Sequence, residues 1–263
     1  MEQATKHALV TGGAARLGRA MALYLADRGY DVAVHYSASG EDAERLVDDI
    51  AAKGRRGVAL QTDFLDEDAV QGLFPAPCDA LGGPITCLVN NASIFEPDDL
   101  HTSTRKSWDR AMESNLRAPF VLTQGMASQG LKAEPDHTGE PRSTGLIVNM
   151  IDQRVLKPTP AFASYTVAKM ALWALTRTSA QALAPHIRVN GIGPGPTLQA
   201  TRQSDDHFRK QRAALLLDRG SNPEDITATL GYLLDAPAVT GQLFCVDGGQ
   251  HLAWQTPDVT IPE

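Results

Sequence analysis

Short apolar runs alternate with longer amphipathic ones along this chain. His7–Thr11 is apolar and ends on a glycine-bearing turn. From Leu17 to Arg28 the apolar positions Leu17, Ala20, Met21, Leu23, Tyr24 and Leu25 recur at helical spacing, and Gly29 stops the pattern. Asp31–Tyr36 reads as a strand, Glu41–Lys53 as a helix ended by Gly54, Gly57–Gln61 as a strand and Asp66–Leu73 as a helical piece. Ile85–Asn90 is a strand apolar on both faces, followed by a long helix over Thr104–Met126. Leu131–Thr144, polar and carrying Pro135 and Pro141, reads as a surface excursion. The pattern then predicts a strand over Gly145–Met150, a long helix over Ala161–Ala184 closed by Pro185, and a strand over Ile187–Ile192. A glycine/proline turn and a charged segment fill Gly193–Ser221, before a helix over Pro223–Asp235 and a last strand over Gln242–Val246. Alternation of this kind predicts an α/β fold: one doubly wound parallel sheet of about seven strands, with helices on both faces and right-handed crossovers. No linker divides it, so a single domain over residues 1–263 is expected.

Composition narrows the function classes. The 263 residues, 43% apolar and 21% charged, exclude a wholly disordered or fibrous chain. Lys+Arg 24 against Asp+Glu 31 gives a net charge of −7, and scattered cations offer nothing to a nucleic-acid backbone. Cys78, Cys87 and Cys245 show no CxxC spacing, which fits a reducing, cytoplasmic setting and argues against a disulfide framework or a zinc site. The start at Met1–Lys6 lacks a signal-peptide run, and no stretch is apolar enough to span a membrane. Neither a nucleic-acid nor a membrane partner is expected, and no metal.

Candidate chemistry begins at the first strand–helix turn, Thr11-Gly-Gly-Ala-Ala-Arg-Leu-Gly18. Gly12 can take the turn without a Cβ clash, Gly18 lets helix and sheet approach, and the helix start favours a pyrophosphate. This is where Rossmann-type folds bind dinucleotides. The second strand ends Val34-His35-Tyr36-Ser37-Ala38-Ser39, with no carboxylate before Glu41 to take ribose hydroxyls, and Asp31 lies at the wrong end. Ser37 and Ser39 can donate to a 2′-phosphate and Arg16 is a nearby cation, so NADP is expected; the serines equally suit capping the helix that begins near Glu41.

Tyr165 and Lys169, four apart, share a helix face and follow a strand by a loop carrying Asp152. Moving a tyrosine from ~10 to ~7 takes about 4 kcal/mol, which a cation ~4 Å away supplies at an effective dielectric of ~20, so Lys169 is expected to activate Tyr165.

Together, TGGAARLG, Asn90-Asn-Ala-Ser93, Asn115, Tyr165/Lys169 and Pro194-Gly195 resemble the short-chain dehydrogenase/reductases over nearly the whole chain. The resemblance implies Asn115, Tyr165 and Lys169 as active-site members, with Asn90 supporting the cofactor loop. It implies cofactor contacts from Gly12, Arg16, Leu17, Gly18, His35, Tyr36, Ser37, Ser39, Asp63, Phe64, Asn91, Ala92, Ser93, Pro194 and Gly195, besides Tyr165 and Lys169. In two places the chain departs from the family. Arg16 replaces the middle glycine of the turn, and Asp152 stands where the catalytic serine is usual, thirteen residues before Tyr165. Both departures are similar to the pteridine reductase branch, including the bacterial dihydromonapterin reductases. That branch implies a pterin site formed by Arg16, Ser93, Phe95, Asp152 and Tyr165. Ala38 stands where some members grip the 2′-phosphate with arginine.

An ionised Asp152 opposes a developing alkoxide but stabilises the basic nitrogen formed when a pterin C=N bond is reduced. The expected activity is therefore NADPH-dependent reduction of a dihydropterin or related pteridine, Phe95 stacking the flat ring against the nicotinamide. General carbonyl reduction and a non-catalytic NADPH-binding role are the alternatives. Asp152 also suits a loop cap, Phe95 core packing, and Arg16 a solvated helix start. The charged stretch 199–219 is expected to cover the substrate as a lid, and the long helices over 104–126 and 161–184 to build a homotetramer.

Overall fold

The computed structural model describes residues 5–200 and 203–256. In chain order the elements are β1 (Lys6–Val10), α1 (Arg16–Asp27), β2 (Tyr30–Tyr36), α2 (Gly40–Ala52), β3 (Gly57–Gln61), α3 (Glu67–Leu73), α4 (Pro75–Leu81) and β4 (Ile85–Asn90). There follow α5 (Arg105–Met112), α6 (Ala118–Ser128), β5 (Glu134–Pro135), β6 (Pro141–Arg142), β7 (Gly145–Met150), α7 (Ala163–Leu183), β8 (Ile187–Pro194), α8 (Asp205–Ala213), α9 (Pro223–Asp235) and β9 (Leu243–Val246). Seven strands form one parallel sheet in the order β3-β2-β1-β4-β7-β8-β9. The chain steps outward from β1 to β3, then crosses back to place β4 on the other side of β1. This reversal leaves a crevice beyond the carboxyl ends of β1 and β4, where such sheets bind ligands.

Successive strand residues feed opposite cores, which is why these strands read as unbroken apolar runs. Val10, Val89 and Val148 face Met21, Leu25, Leu46 and Ile50 of α1 and α2, and Ile226 and Leu230 of α9. Leu9, Leu88 and Ile147 face Leu73 of α3, Leu81 of α4, and Leu122 and Met126 of α6. Three helix starts carry the caps their sequences offer. Asp66 accepts from the Ala69 N–H at α3, Thr104 and Ser107 form a reciprocal box at α5, and Asn222 and Asp225 do so at α9 behind Pro223. At α1, by contrast, Ala15 provides no side-chain cap, so the helix presents its N–H groups to the crevice.

The predicted strands and helices are present, with several differences. The expected helix over 104–126 is interrupted: α5 and α6 flank a π-helical turn at Glu113–Arg117 that contains Asn115. A wider turn of this kind has no signature in apolar periodicity. Helix α4 was not anticipated; Pro75 sits at its first helical position, where the missing N–H is harmless. The excursion at 131–144 contains a small antiparallel hairpin of β5 and β6, and the charged segment contains α8. Strand β8 runs on to Pro194, two residues beyond the predicted end. No helix of the described residues is long and apolar enough to cross a membrane.

Candidate active site

The crevice opens into a cavity of about 900 Å³ that runs from the β1–α1 turn to the loop after β7. Gly12, Arg16, Leu17 and Gly18 line one end. Gly12 takes φ +58°, and a Cβ there would lie 2.9 Å from Ala92 Cα; a Cβ on Gly18 would lie 2.1 Å from the Gly12 carbonyl oxygen. Both positions therefore require glycine. His35 props the turn from below. Its Nδ1 accepts from the Gly12 N–H (3.1 Å), its Nε2 donates to the Thr62 carbonyl (3.0 Å), and its ring stacks on Phe64 at 4.1 Å. Burial pushes its pKa down to about 4, so the imidazole is neutral and one tautomer satisfies both bonds.

Asn91 stitches the facing loop to this turn. Its Nδ2 donates to the carbonyls of Thr11 (2.9 Å) and Gly12 (3.1 Å), while the N–H groups of Asn91 and Ala92 donate to Thr11 Oγ1. Asn90, expected in that role, is instead buried and donates to Asn149 Oδ1 across the β4–β7 pair (2.8 Å). Ser37, Asp63, Phe64, Ala92, Ser93, Pro194 and Gly195 line the cavity as well. Tyr36 and Ser39 do not: the Tyr36 ring packs 3.5 Å from where a Gly40 Cβ would be, and Ser39 precedes α2 without capping it. Asn115 stands behind the wall. Its Nδ2 donates to the carbonyls of Ala111 (2.9 Å) and Ile94 (3.0 Å), and its Oδ1 accepts from Ser93 Oγ (2.7 Å).

Asp152 does not face bulk solvent. Its Oδ2 accepts from the Tyr165 hydroxyl at 3.0 Å, and its Oδ1 accepts from the Arg154 N–H at 2.7 Å, so one carboxylate both caps the short turn at Gln153–Val155 and faces the phenol. Burial raises its pKa, opposed by the Arg154 backbone bond, the Arg154 charge, Tyr165 and Lys169. Lys169, only 2% exposed, donates to the Met150 carbonyl at 2.8 Å, and burial lowers its pKa to about 8. Tyr165 differs from expectation. Burial and the neighbouring Asp152 hold its pKa well above the ordinary value, and Lys169, which faces the phenol ring at 5.6 Å, does not bring it toward neutrality. The lysine charge acts on Asp152 instead, favouring its ionised form.

Phe95 is 40% exposed, stacks on Phe162 at 4.2 Å, and meets the Tyr165 ring edge-on at 4.7 Å. The Arg154 guanidinium also lies over the Phe162 ring, 5.3 Å from its centroid. Arg16 takes φ +54°, a backbone conformation natural to the glycine it replaces, and donates to the carbonyls of Gln199 (2.9 Å) and Leu198 (3.0 Å). The cavity is also lined by Gln153, Arg154 and Phe162 after β7, which sequence reasoning did not select, and by His207, Phe208 and Gln211 of α8, which lie within the stretch 199–219 expected as a lid. Phe162 was within reach of that reasoning, three residues before Tyr165 and inside the helix predicted over 161–184; in the structure it precedes α7, in the left-handed region.

The short chain dehydrogenase family profile matches residues 6–210. The chain belongs to that family. Among curated members, this dehydrogenase is 32% identical to the 3-oxoacyl-[acyl-carrier-protein] reductase FabG of Staphylococcus aureus over 253 residues, covering 94% of this chain and 99% of the relative. It is 31% identical to 3beta-hydroxysteroid dehydrogenase 1 of Eggerthella lenta, covering 94% of each. Among solved structures, FolM alternative dihydrofolate reductase 1 of Brucella suis, in complex with NADP, superposes with a TM-score of 0.88 at 42% identity, covering 96% of this chain and 98% of that one. A short chain dehydrogenase of Burkholderia cenocepacia in complex with NADP gives 0.83 at 31% identity, covering 94% and 98%. In this dehydrogenase the residues fit a dinucleotide. The glycine cradle leaves no room for a Cβ, α1 has no side-chain cap, and the cavity lies at the upper end of the ~300–1,000 Å³ usual for ligands.

Proposed function

We propose that this oxidoreductase reduces a pteridine, a dihydropterin such as dihydromonapterin, using NADPH. The observation that carries the reading is the Asp152 carboxylate, 3.0 Å from the Tyr165 hydroxyl, where the family's ketone reductases use serine. The likeness to the Brucella suis structure supports it. Gly12, Gly18, Asn91 and Ser37 shape the NADPH site, and no acidic side chain stands at the end of β2 to repel a 2′-phosphate. Bound NADPH supplies the hydride. The chain's own groups manage the proton. Tyr165 is kept protonated by burial and by Asp152, Lys169 favours the ionised form of Asp152, and the carboxylate stabilises positive charge on a nitrogen that gains a proton. Ser93 and Phe95 border the same space, Phe95 offering its ring to a flat substrate. Helix α8, within the stretch 199–219, covers the substrate with His207, Phe208 and Gln211; Thr201 and Arg202 of that stretch lie outside the described residues. The enzyme acts in the cytoplasm as a homotetramer joined through α5–α6 and α7.

The test is NADPH oxidation by purified protein across biopterin, monapterin and folate forms. Absence of pterin-dependent turnover overturns the reading. The FabG relatives favour a second reading, reduction of a 3-oxoacyl thioester or other ketone. Turnover of an acetoacetyl thioester without turnover of pterins selects it. Loss of all activity in Tyr165→Phe with NADPH binding retained dismisses a non-catalytic role.

A further inference from the structure

We propose that Asp98 is a positioning residue for Tyr165, acting as the N-cap of α7 from a different segment of the chain. The inference rests on the reading that Tyr165 serves the proton step.

Helix α7 begins without a cap of its own. Phe162, the residue before it, lies in the left-handed region at φ +60° and makes no side-chain capping bond. The first N–H groups of a helix have no partner within it and need one from elsewhere. Here one residue satisfies three of them. The Asp98 backbone carbonyl accepts from the N–H groups of Phe162 (2.6 Å) and Ala163 (3.3 Å). Its carboxylate accepts from the next, the Ser164 N–H (3.2 Å), and from the Ser164 hydroxyl. Ser103 Oγ lies 3.1 Å from the same hydroxyl and closes the cluster from the far side. Asp98 is 8% exposed and Ser164 2% exposed, so water does not substitute for these bonds.

The placement gives the cluster its function. Ser164 immediately precedes Tyr165, and Asp98 lies on the loop that carries Ser93 and Phe95. Phe95 meets the Tyr165 ring at 4.7 Å and Phe162 at 4.2 Å. Asp98 therefore ties the loop bearing the aromatic wall to the helix turn bearing the phenol. The distance between Tyr165 and Asp152, which comes from the loop after β7, depends on where that turn is held. A negative group at a helix start also stabilises it through the helix dipole. Without the carboxylate, the first turn of α7 keeps the two bonds to the Asp98 carbonyl and the Ser103 contact, and Tyr165 loses its fixed distance to Asp152. Displacement of a reacting group by about 1 Å costs up to about a hundredfold in rate.

The experiment compares Asp98→Ala, Asp98→Asn, Ser164→Ala and Tyr165→Phe in the full chain. Turnover is followed with both dihydrobiopterin and an acetoacetyl thioester, NADPH affinity by fluorescence titration, and folding by thermal melting. Expected is a fall in kcat of about tenfold or more for Asp98→Ala with either substrate, with KM and NADPH affinity within about twofold. Asp98→Asn, which still accepts from the Ser164 N–H, returns kcat to within about threefold of the parent; a general structural lesion would not give that pattern. Unchanged kcat in Asp98→Ala, or equal falls in kcat and NADPH affinity in both Asp98 variants, overturns the inference. If Asp98→Ala does not fold, Ser164→Ala decides, since it removes the hydroxyl anchor and keeps the N–H bond. A drop in its kcat of about threefold supports the cap, and an unaltered kcat overturns it. Full activity in Tyr165→Phe overturns the reading of Tyr165 and the inference with it, whereas full activity confined to the Asp98 and Ser164 variants overturns the inference alone. Turnover of the thioester only refutes the pteridine reading and leaves the Asp98 test in force.

Discussion

Replacing Asp152 with asparagine removes the charge at constant shape. The amide oxygen can still accept from the Arg154 N–H, which meets Oδ1 at 2.7 Å, while Nδ2 takes the place of the oxygen 3.0 Å from the Tyr165 hydroxyl and donates to it instead. The turn at Gln153–Val155 should therefore persist. A unit charge ~4 Å from a developing cation, at an effective dielectric of ~20, contributes about 4 kcal/mol, and each ~1.4 kcal/mol is tenfold. The expected loss of kcat on dihydropterin is thus about a thousandfold, falling to about a hundredfold where water enters the site. Tyr165 should respond in the opposite sense, since Asp152 raises its pKa: in Asp152→Asn the phenol becomes more acidic. Ketone turnover should rise for the same reason, because the charge opposing an alkoxide is gone. Steady-state NADPH oxidation with each substrate, with NADPH affinity measured separately, gives both numbers. Pterin turnover within about threefold of the parent, at unchanged cofactor affinity, would refute the electrostatic reasoning.

Three other outcomes follow from the same geometry. Ser37→Asp places a carboxylate at the end of β2 and should weaken NADPH about tenfold or more relative to NADH, read from paired titrations. Buried Lys169 has a pKa of about 8 against an ordinary 10.5, so the folded state gives up its proton first as pH rises. Between those values the unfolded chain binds more protons and stability rises with pH. Denaturant melts of parent and Lys169→Met should therefore show the parent gaining up to roughly 3 kcal/mol relative to the variant from about pH 7 to 11, and an unchanged difference would count against a buried ammonium. Gly195→Ala brings a Cβ to 2.7 Å from Asp247 Cα, and urea unfolding should show a loss of about 1–3 kcal/mol.

The sheet was legible because each strand is buried on both faces and each crossover helix carries one apolar stripe, so Leu9/Val10 and Met21/Leu25 state their own environments. Asp152 and Tyr165 were legible because pattern places a strand end and a helix start around them and the family resemblance gives their thirteen-residue separation a meaning. What pattern does not encode is which partner a polar group finds. Asn91 rather than Asn90 ties the loop to the glycine turn because only Asn90 lies within β4, where its side chain meets Asn149. The rise in the Tyr165 pKa has the same origin: spacing places Lys169 on the right face, but burial and the neighbouring Asp152 set the phenol. Gln153, Arg154 and Phe162 were missed because loops carry no periodic signal relating them to a distant cavity, and in the stretch 199–219 charge marked the segment but not which of its side chains face inward.

The π-helical turn at Glu113–Arg117 carries a consequence for how this long helix tolerates a change of length. Each α-helical residue advances the direction of its side chain by about 100°. A wide turn absorbs one residue more than an α-helical turn without passing that rotation on, so Leu122 and Met126 keep facing the sheet beyond it. Deleting one residue there would restore a regular helix and leave the packing of its second half in place. What would be lost is local: the turn that carries Asn115, whose amide donates to both Ala111 and Ile94.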